Sequence, residues 1–205
     1  MRIIAGKHRG RRLVAPEGRA TTRPITDMLK ETLFNRLHSL GMFESEGFAC
    51  LDLFCGTGSL GLEAISRGAG RVEFVDGDGE VVRRLHENLE ALGETAKADV
   101  RRQSALSTAW LRTHSPGAVT VAFLDPPFAM MRDADDRRRL AELLEAVLPT
   151  LEDGGVAVLR GPDDAEAIEA PGYDGPVSRT YGKSALHFYQ RPMPEGQGDA
   201  EGGGL

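Results

Sequence analysis

Asp52-Leu53-Phe54-Cys55-Gly56-Thr57-Gly58-Ser59-Leu60-Gly61 is the stretch that decides the fold of this chain. Gly56, Gly58 and Gly61 stand at the spacing G-x-G-x-x-G, between the apolar run Ala49 to Phe54 and a helical pattern from Leu60 to Arg67 that Gly68 ends. A strand, a glycine turn and a helix in that order make a nucleotide-type site, because glycines let the backbone approach a ligand at a helix N-terminus. Asp76 ends the next strand, where an acid accepts from ribose hydroxyls. Asp52 argues against a dinucleotide: a carboxylate there would repel a pyrophosphate by roughly 1–4 kcal/mol for unit charges ~4 Å apart. S-adenosylmethionine has no phosphate and carries an α-ammonium group that Asp52 would hold, directly or through water. The bland alternative is a tight turn with no ligand, and Asp52 with Asp76 weakens it.

Outward from the loop, strand and helix patterns alternate. Arg71 to Val75 reads as a strand, Val81, Val82, Leu85, Leu89 and Leu92 as a helix face, and Val100 to Gln103 as a weak strand. Ala118 to Leu124 is a stronger strand, Leu140, Leu143, Leu144, Val147 and Leu148 mark another helix, and Val156 to Arg160 a further strand. Such alternation with near-continuous apolar strands predicts a parallel sheet covered on both faces. Val177 to Tyr181 and Ala185 to Gln190 pair as a final hairpin. Upstream, Thr26 caps a helix striped by Leu29, Leu33, Leu37 and Leu40, with Gly41 past its end. Residues 2 to 14 read as two short strands around a turn at Lys7 to Gly10.

The expected fold is therefore α/β, Rossmann-like, with a seven-stranded mostly parallel sheet and an antiparallel C-terminal hairpin. The expected division is a basic N-terminal arm over 1–24, one main domain over 25–191, and a Gly- and acid-rich, disordered tail over 192–205. A length of 205 residues, 40% of them hydrophobic, suits one such domain. No apolar run suits a membrane span or signal peptide, and Cys50 and Cys55 read as reduced thiols of a cytoplasmic protein. The histidines are scattered, so no metal site is expected. Charge is uneven: seven basic groups up to Arg23 against Glu17 alone give the first 23 residues +6, while the whole chain carries −6. A basic arm on an acidic body suggests a polyanionic partner, or else a solvated terminus.

Asp125-Pro126-Pro127-Phe128 follows the strongest strand and faces the same crevice as the glycine loop. An exocyclic amine of a nucleobase is a poor nucleophile because its lone pair is delocalised into the ring. The Asp125 carboxylate and the Pro126 carbonyl can bind its two hydrogens and favour a pyramidal nitrogen aimed at a methyl donor. Phe128 offers a face for a flipped base.

Together, Asp-Leu-Phe-Cys-Gly-Thr-Gly and Asp-Pro-Pro-Phe resemble class I S-adenosylmethionine-dependent methyltransferases acting on exocyclic amines. Arg2-Ile3-Ile4-Ala5-Gly6-Lys7-His8-Arg9-Gly10, Arg23-Pro24-Ile25-Thr26-Asp27 and Glu31-Thr32-Leu33-Phe34-Asn35 narrow the resemblance to the bacterial RsmD family. That resemblance implies methylation of guanine N2 in small-subunit (16S) ribosomal RNA, free or in an assembling ribonucleoprotein, by a monomer. It implies Asp52, Gly56, Thr57 and Gly58 around the methionine part of the cofactor, Asp76 at its ribose, Ser104 and Ala105 beside adenine, and Asp125, Pro126 and Phe128 in catalysis. The arm residues Arg9, Arg11, Arg12 and Arg23 are expected to bind RNA. Rival readings are an adenine-N6 methyltransferase on DNA or RNA using the same tetrapeptide, an NAD-dependent dehydrogenase, and a non-catalytic RNA-binding protein. The dehydrogenase has no use for Asp125 to Phe128, and the RNA-binding protein could dispense with Asp125. Cys55 reads as a packed thiol, and Arg137-Arg138-Arg139 as a solvated helix start within reach of a phosphate.

Overall fold

Strands too apolar to face water on either side must lie in a sheet covered twice, and the chain obeys this. In the computed structural model, which describes residues 1–15 and 25–194, seven strands form one sheet in the order β3-β2-β1-β4-β5-β7-β6. They are β1 Ala49–Leu53, β2 Arg71–Asp76, β3 Ala98–Arg102, β4 Val119–Leu124, β5 Leu151–Pro162, β6 Asp174–Tyr181 and β7 Ser184–Gln190. The first five are parallel, and β7 enters antiparallel between β5 and β6. Parallel neighbours need crossovers. The helices α2 Ser59–Ser66, α3 Gly79–Leu92 and α4 Ala134–Val147 belong to three of them, and α1 Asp27–Ser39 precedes the sheet.

Strand periodicity sorts the core into two layers. Cys50, Phe74, Val121, Phe123 and Val158 pack under α1 and α2, whereas Leu51, Leu53, Ala122, Leu124 and Leu159 pack under α4. Each fully buried side chain of this kind contributes ~1.5–3 kcal/mol. Side-chain oxygens cap three helices: Thr26 Oγ1, as the sequence predicts, accepts from Leu29 N–H, while Asp78 accepts from Glu80 N–H and Asp133 from Asp135 and Asp136 N–H.

Three expectations change. β5 runs from Leu151 to Pro162, longer than the apolar core Val156 to Arg160, because Gly154 and Gly155 let the strand begin earlier against the sheet. β3 starts at Ala98; it is a half-exposed edge strand, so hydrophobicity marks it poorly. The two N-terminal strands reduce to a single antiparallel bridge, Arg2 to Arg12. Ile3 N–H donates to Arg11 O and Gly10 N–H to Ile3 O across the turn, and the segment also bonds to α2: Ile4 and Ala5 N–H donate to Glu63, and Lys7 N–H to Ser66 O at 2.8 Å. Ile3 and Leu13 are buried in the α1/α2 layer, so residues 1–15 share that core and are not set apart from it. The expected linker Arg19 to Pro24 and the tail from residue 195 onward lie outside the described residues. No helix among the described residues is long and apolar enough to cross a membrane.

Strand order reverses between β1 and β4, opening a crevice beyond their carboxyl ends. Leu53 lies beside Val75 on one side and Leu124 on the other. The residues that follow, Phe54 onward, Asp76 and Asp125, therefore emerge together.

Candidate active site

The glycine loop is bent for close approach. Phe54 has φ +58°, a left-handed conformation that costs a non-glycine residue ~1–3 kcal/mol. Gly56, at φ +55°, has nothing within 4 Å of where a Cβ would stand, so its backbone faces open space. Gly58 and Gly61 serve packing: a Cβ on the first would lie 2.5 Å from Leu85 Cδ1, and on the second 2.2 Å from Phe74 Cε1. Between Gly56 and Gly58, Thr57 is buried, and its Oγ1 has no partner among the described residues. A buried hydroxyl without a partner is unfavourable unless a ligand satisfies it. Cys55 is also buried; burial first, then the charges of Asp52 and Asp76, push its thiol pKa up, so it stays a packed thiol.

Asp76 organises the neighbouring rim. Its Oδ2 accepts from Gly56 N–H at 2.8 Å and its Oδ1 from Asp78 N–H at 2.9 Å. Each oxygen retains a lone pair for a ribose hydroxyl. Gln103 N–H donates to Asp76 O, and Ser104 Cα lies 3.9 Å from where a Cβ on Gly77 would stand. The exposed Ser104 thus borders the same rim, while Ala105 is buried in the α4 layer.

Asp52 lies elsewhere than a direct ammonium contact requires. Leu51 and Leu53 face α4, so alternation turns Asp52 toward α2, where it is 1% exposed and accepts from Gly61 N–H at 2.8 Å. Burial drives its pKa well up against that bond, and the charges of Asp125 and Asp76 drive it further. Burial also raises Asp76 and Asp125. A cationic ligand at this edge, such as a sulfonium with an α-ammonium group, would favour the ionised form of these acids against burial.

Asp125 begins the loop after β4, with its N–H on Leu53 O at 3.2 Å. Both of its oxygens accept from Arg160 Nη1, at 2.9 and 3.0 Å. Its pKa is raised by burial, with the Arg160 charge and bond opposing. Pro126 is buried, and the turn beyond it is closed by Met130 N–H on Pro127 O and Met131 N–H on Phe128 O. Phe128 is half-buried, with the Arg160 guanidinium carbon 4.9 Å from its ring centroid. Arg160 is the residue that sequence reading missed. Its signal is a cation closing the apolar run Val156 to Leu159, one strand over from Asp125.

The expected RNA contacts are spread out. Arg9, Arg11 and Arg12 are exposed; Arg11 donates to Ala91 O at the far end of α3, and Arg9 lies on the turn docked at Ser66, the far end of α2. Arg23 lies outside the described residues. Arg137 bonds to the carbonyls of Met131, Glu166 and Ala167, which makes it a brace between α4 and the loop after β5.

A family model described as conserved hypothetical protein 95 matches residues 1–190. An rRNA methyltransferase of Bacillus subtilis, so named provisionally, is 34% identical over 195 residues, covering 93% of this chain and 99% of its own. Ribosomal RNA small subunit methyltransferase D of Haemophilus influenzae is 43% identical over 129 residues, 62% of this chain and 64% of its own. Among solved structures, an Escherichia coli protein provisionally named a methyltransferase superposes with a TM-score of 0.74 at 30% identity, covering 95% of this chain and 99% of that one. The sheet order and these neighbours make the fold a Rossmann-like class I methyltransferase fold with an antiparallel C-terminal hairpin.

Proposed function

The chain belongs to the RsmD family, and from that premise we propose that it transfers a methyl group from S-adenosylmethionine to the exocyclic N2 amine of a guanine in small-subunit ribosomal RNA. The observation that carries this reading is the Asp125 carboxylate, half-buried at the end of β4 beside the glycine loop, with Phe128 three residues on. When bound, S-adenosylmethionine supplies an electrophilic methyl on a sulfonium. The residues present fit it: the open backbone of Gly56, the partnerless Thr57 hydroxyl and the residual lone pairs of Asp76 would hold it. Asp52 would act on it through its field and through the helix turn that it anchors.

Asp125 and the Pro126 carbonyl accept the two amine hydrogens and hold the nitrogen pyramidal. Phe128 stacks on the base and keeps the amine in line. Transfer would leave the sulfur–methyl electron pair on sulfur as a neutral thioether and the nitrogen positive, a charge that the adjacent Asp125 carboxylate would stabilise before a proton leaves to solvent. Orientation and electrostatics supply the rate, with no covalent enzyme intermediate.

Mass spectrometry of ribosomal RNA nucleosides, comparing a strain lacking this protein with its parent, tests the reading. Small-subunit N2-methylguanosine should fall; a fall in N6-methyladenosine instead would favour the adenine alternative, and no change would overturn both. In single-turnover assays Asp125→Asn should slow methyl transfer by about 100- to 1,000-fold, as losing one preorganised transition-state interaction does. Affinity for S-adenosylhomocysteine should change much less.

A further inference from the structure

We propose that Arg160 is a positioning residue for the amine site: its guanidinium orients the Asp125 carboxylate and covers one face of the Phe128 ring, leaving the opposite face for the target base. The inference rests on the methyltransferase reading above and deepens it.

Leu124 and Leu159 are paired on β4 and β5, so Asp125 and Arg160 follow side by side at the crevice edge. The Arg160 side chain is only 4% exposed, and a guanidinium withdrawn from water at the end of the apolar run Val156 to Leu159 is unfavourable unless its partners compensate. One nitrogen, Nη1, lies between both Asp125 oxygens, which fixes the carboxylate in a single orientation. Those bonds use one lone pair on each oxygen and leave others for amine hydrogens. The same guanidinium stands over Phe128 at 4.9 Å. A ring has two faces, so a base stacking on Phe128 has one available, and its plane is set by Arg160.

The pairing also decides the charge of Asp125. The acids nearby are Asp52 on β1, whose pKa the Asp125 charge helps to raise, and Asp76 at the end of β2. For Asp125 itself burial raises the pKa, and the charge and bond of Arg160 on β5 oppose it. A protonated Asp125 would present a hydroxyl where an acceptor is needed. Arg160 therefore favours the ionised, acceptor form of Asp125 against burial.

The test compares Arg160→Met and Arg160→Lys with the wild-type protein. Carbon-13 NMR of labelled aspartate, assigned with Asp125→Asn, follows the Asp125 titration without any substrate. In Arg160→Met it should move up by about one to three pH units, the usual effect of losing a cation at this distance. The acid limb of single-turnover methyl transfer should move with it, so that activity falls about 10- to 100-fold at pH 7 and recovers as the pH rises. Arg160→Lys keeps a charge without the planar guanidinium, so it should titrate near wild type, keep kcat and raise KM for RNA. An unmoved Asp125 titration in folded Arg160→Met overturns the orienting role, and a wild-type KM in Arg160→Lys overturns the shielded-face role. Should Arg160→Met fail to fold, Arg160→Gln replaces it in the same titration, and the Arg160→Lys KM still tests the shielded face. Absence of RNA methylation by the wild-type protein would refute the function proposed above, while the titration would still report on Arg160.

Discussion

Two regions of this molecule bury carboxylates, and they treat them in opposite ways. Beneath the N-terminal segment, Glu63 is fully buried and accepts from Ile4 N–H, Ala5 N–H and Arg67 Nε, with Lys30 Nζ 3.6 Å away. Lys30 itself donates to Arg2 O and Ser59 Oγ, and burial pulls its pKa down against the pull of Glu63 and Asp27. Every element of that corner is tied to one saturated acid. At the carboxyl edge of the sheet, burial raises the pKa of Asp52, Asp76 and Asp125, and the charges of Asp125 and Asp76 raise Asp52 further. Saturation builds structure; an undercompensated cluster keeps a field and lone pairs available for a ligand.

Removing an acid should therefore have different consequences in the two regions. Glu63→Ala strands Lys30 and two backbone donors, and breaking a buried pair in this way costs ~3–5 kcal/mol. Urea unfolding should show it directly; a loss below about 1 kcal/mol would mean that the corner is held by Ile3 and Leu13 alone. At the crevice, Asp76→Ala should leave stability less affected and instead weaken S-adenosylhomocysteine binding by ~1.5–3 kcal/mol, the range for a hydrogen bond to a charged group. Calorimetry that finds unchanged affinity would reduce Asp76 to a brace for the Gly56 loop.

The sequence made the crevice more legible than the corner because the crevice is written locally. Gly56, Gly58 and Gly61 follow one another within a turn, and Asp125 to Phe128 are contiguous, so spacing alone announces them. Even there one inference needed only alternation: Leu51 and Leu53 are apolar on the α4 face, which turns Asp52 toward α2. Arg160 and Glu63 depend on long-range pairing. Arg160 meets Asp125 only because β5 lies beside β4, and Glu63 sits in an apolar helix with partners, Arg67 apart, that are 33 to 59 residues away in sequence. Charges inside apolar runs were the available signal, but their partners follow only from strand order. The hairpin expected before residue 14 does cross, from Ile3 N–H to Arg11 O, but its docking on α2 was illegible for a related reason. Gly6, at φ +75°, lies so close to α2 that a Cβ there would be 1.8 Å from Ser66 O, an approach that no local pattern encodes.

That docking changes how the basic arm must be tested, and here the expected effect is smallest. Deleting residues 1 to 20 would remove Ile3 and Leu13 from the core and the donors from Glu63, so it would report on folding. Point charges are cleaner: Arg9 and Arg12 are exposed, and neither has an ion pair among the described residues. Arg11 already donates to Ala91 O and is the less informative substitution. Arg9 sits at the Ser66 end of α2 and the glycine loop at the other end, about 12 Å apart at 1.5 Å per residue. A phosphate held there would belong to RNA flanking the target and would add affinity without touching the chemistry. Each phosphate no longer neutralised should flatten the slope of log affinity against log salt by ~0.7–0.9. Arg9→Ala with Arg12→Ala should therefore lower the slope by roughly 1.4–1.8 in anisotropy titrations with a small-subunit RNA fragment. Affinity for S-adenosylhomocysteine should stay as it was. An unchanged slope would mean that these arginines are solvated surface and that the acidic body meets its RNA through other residues.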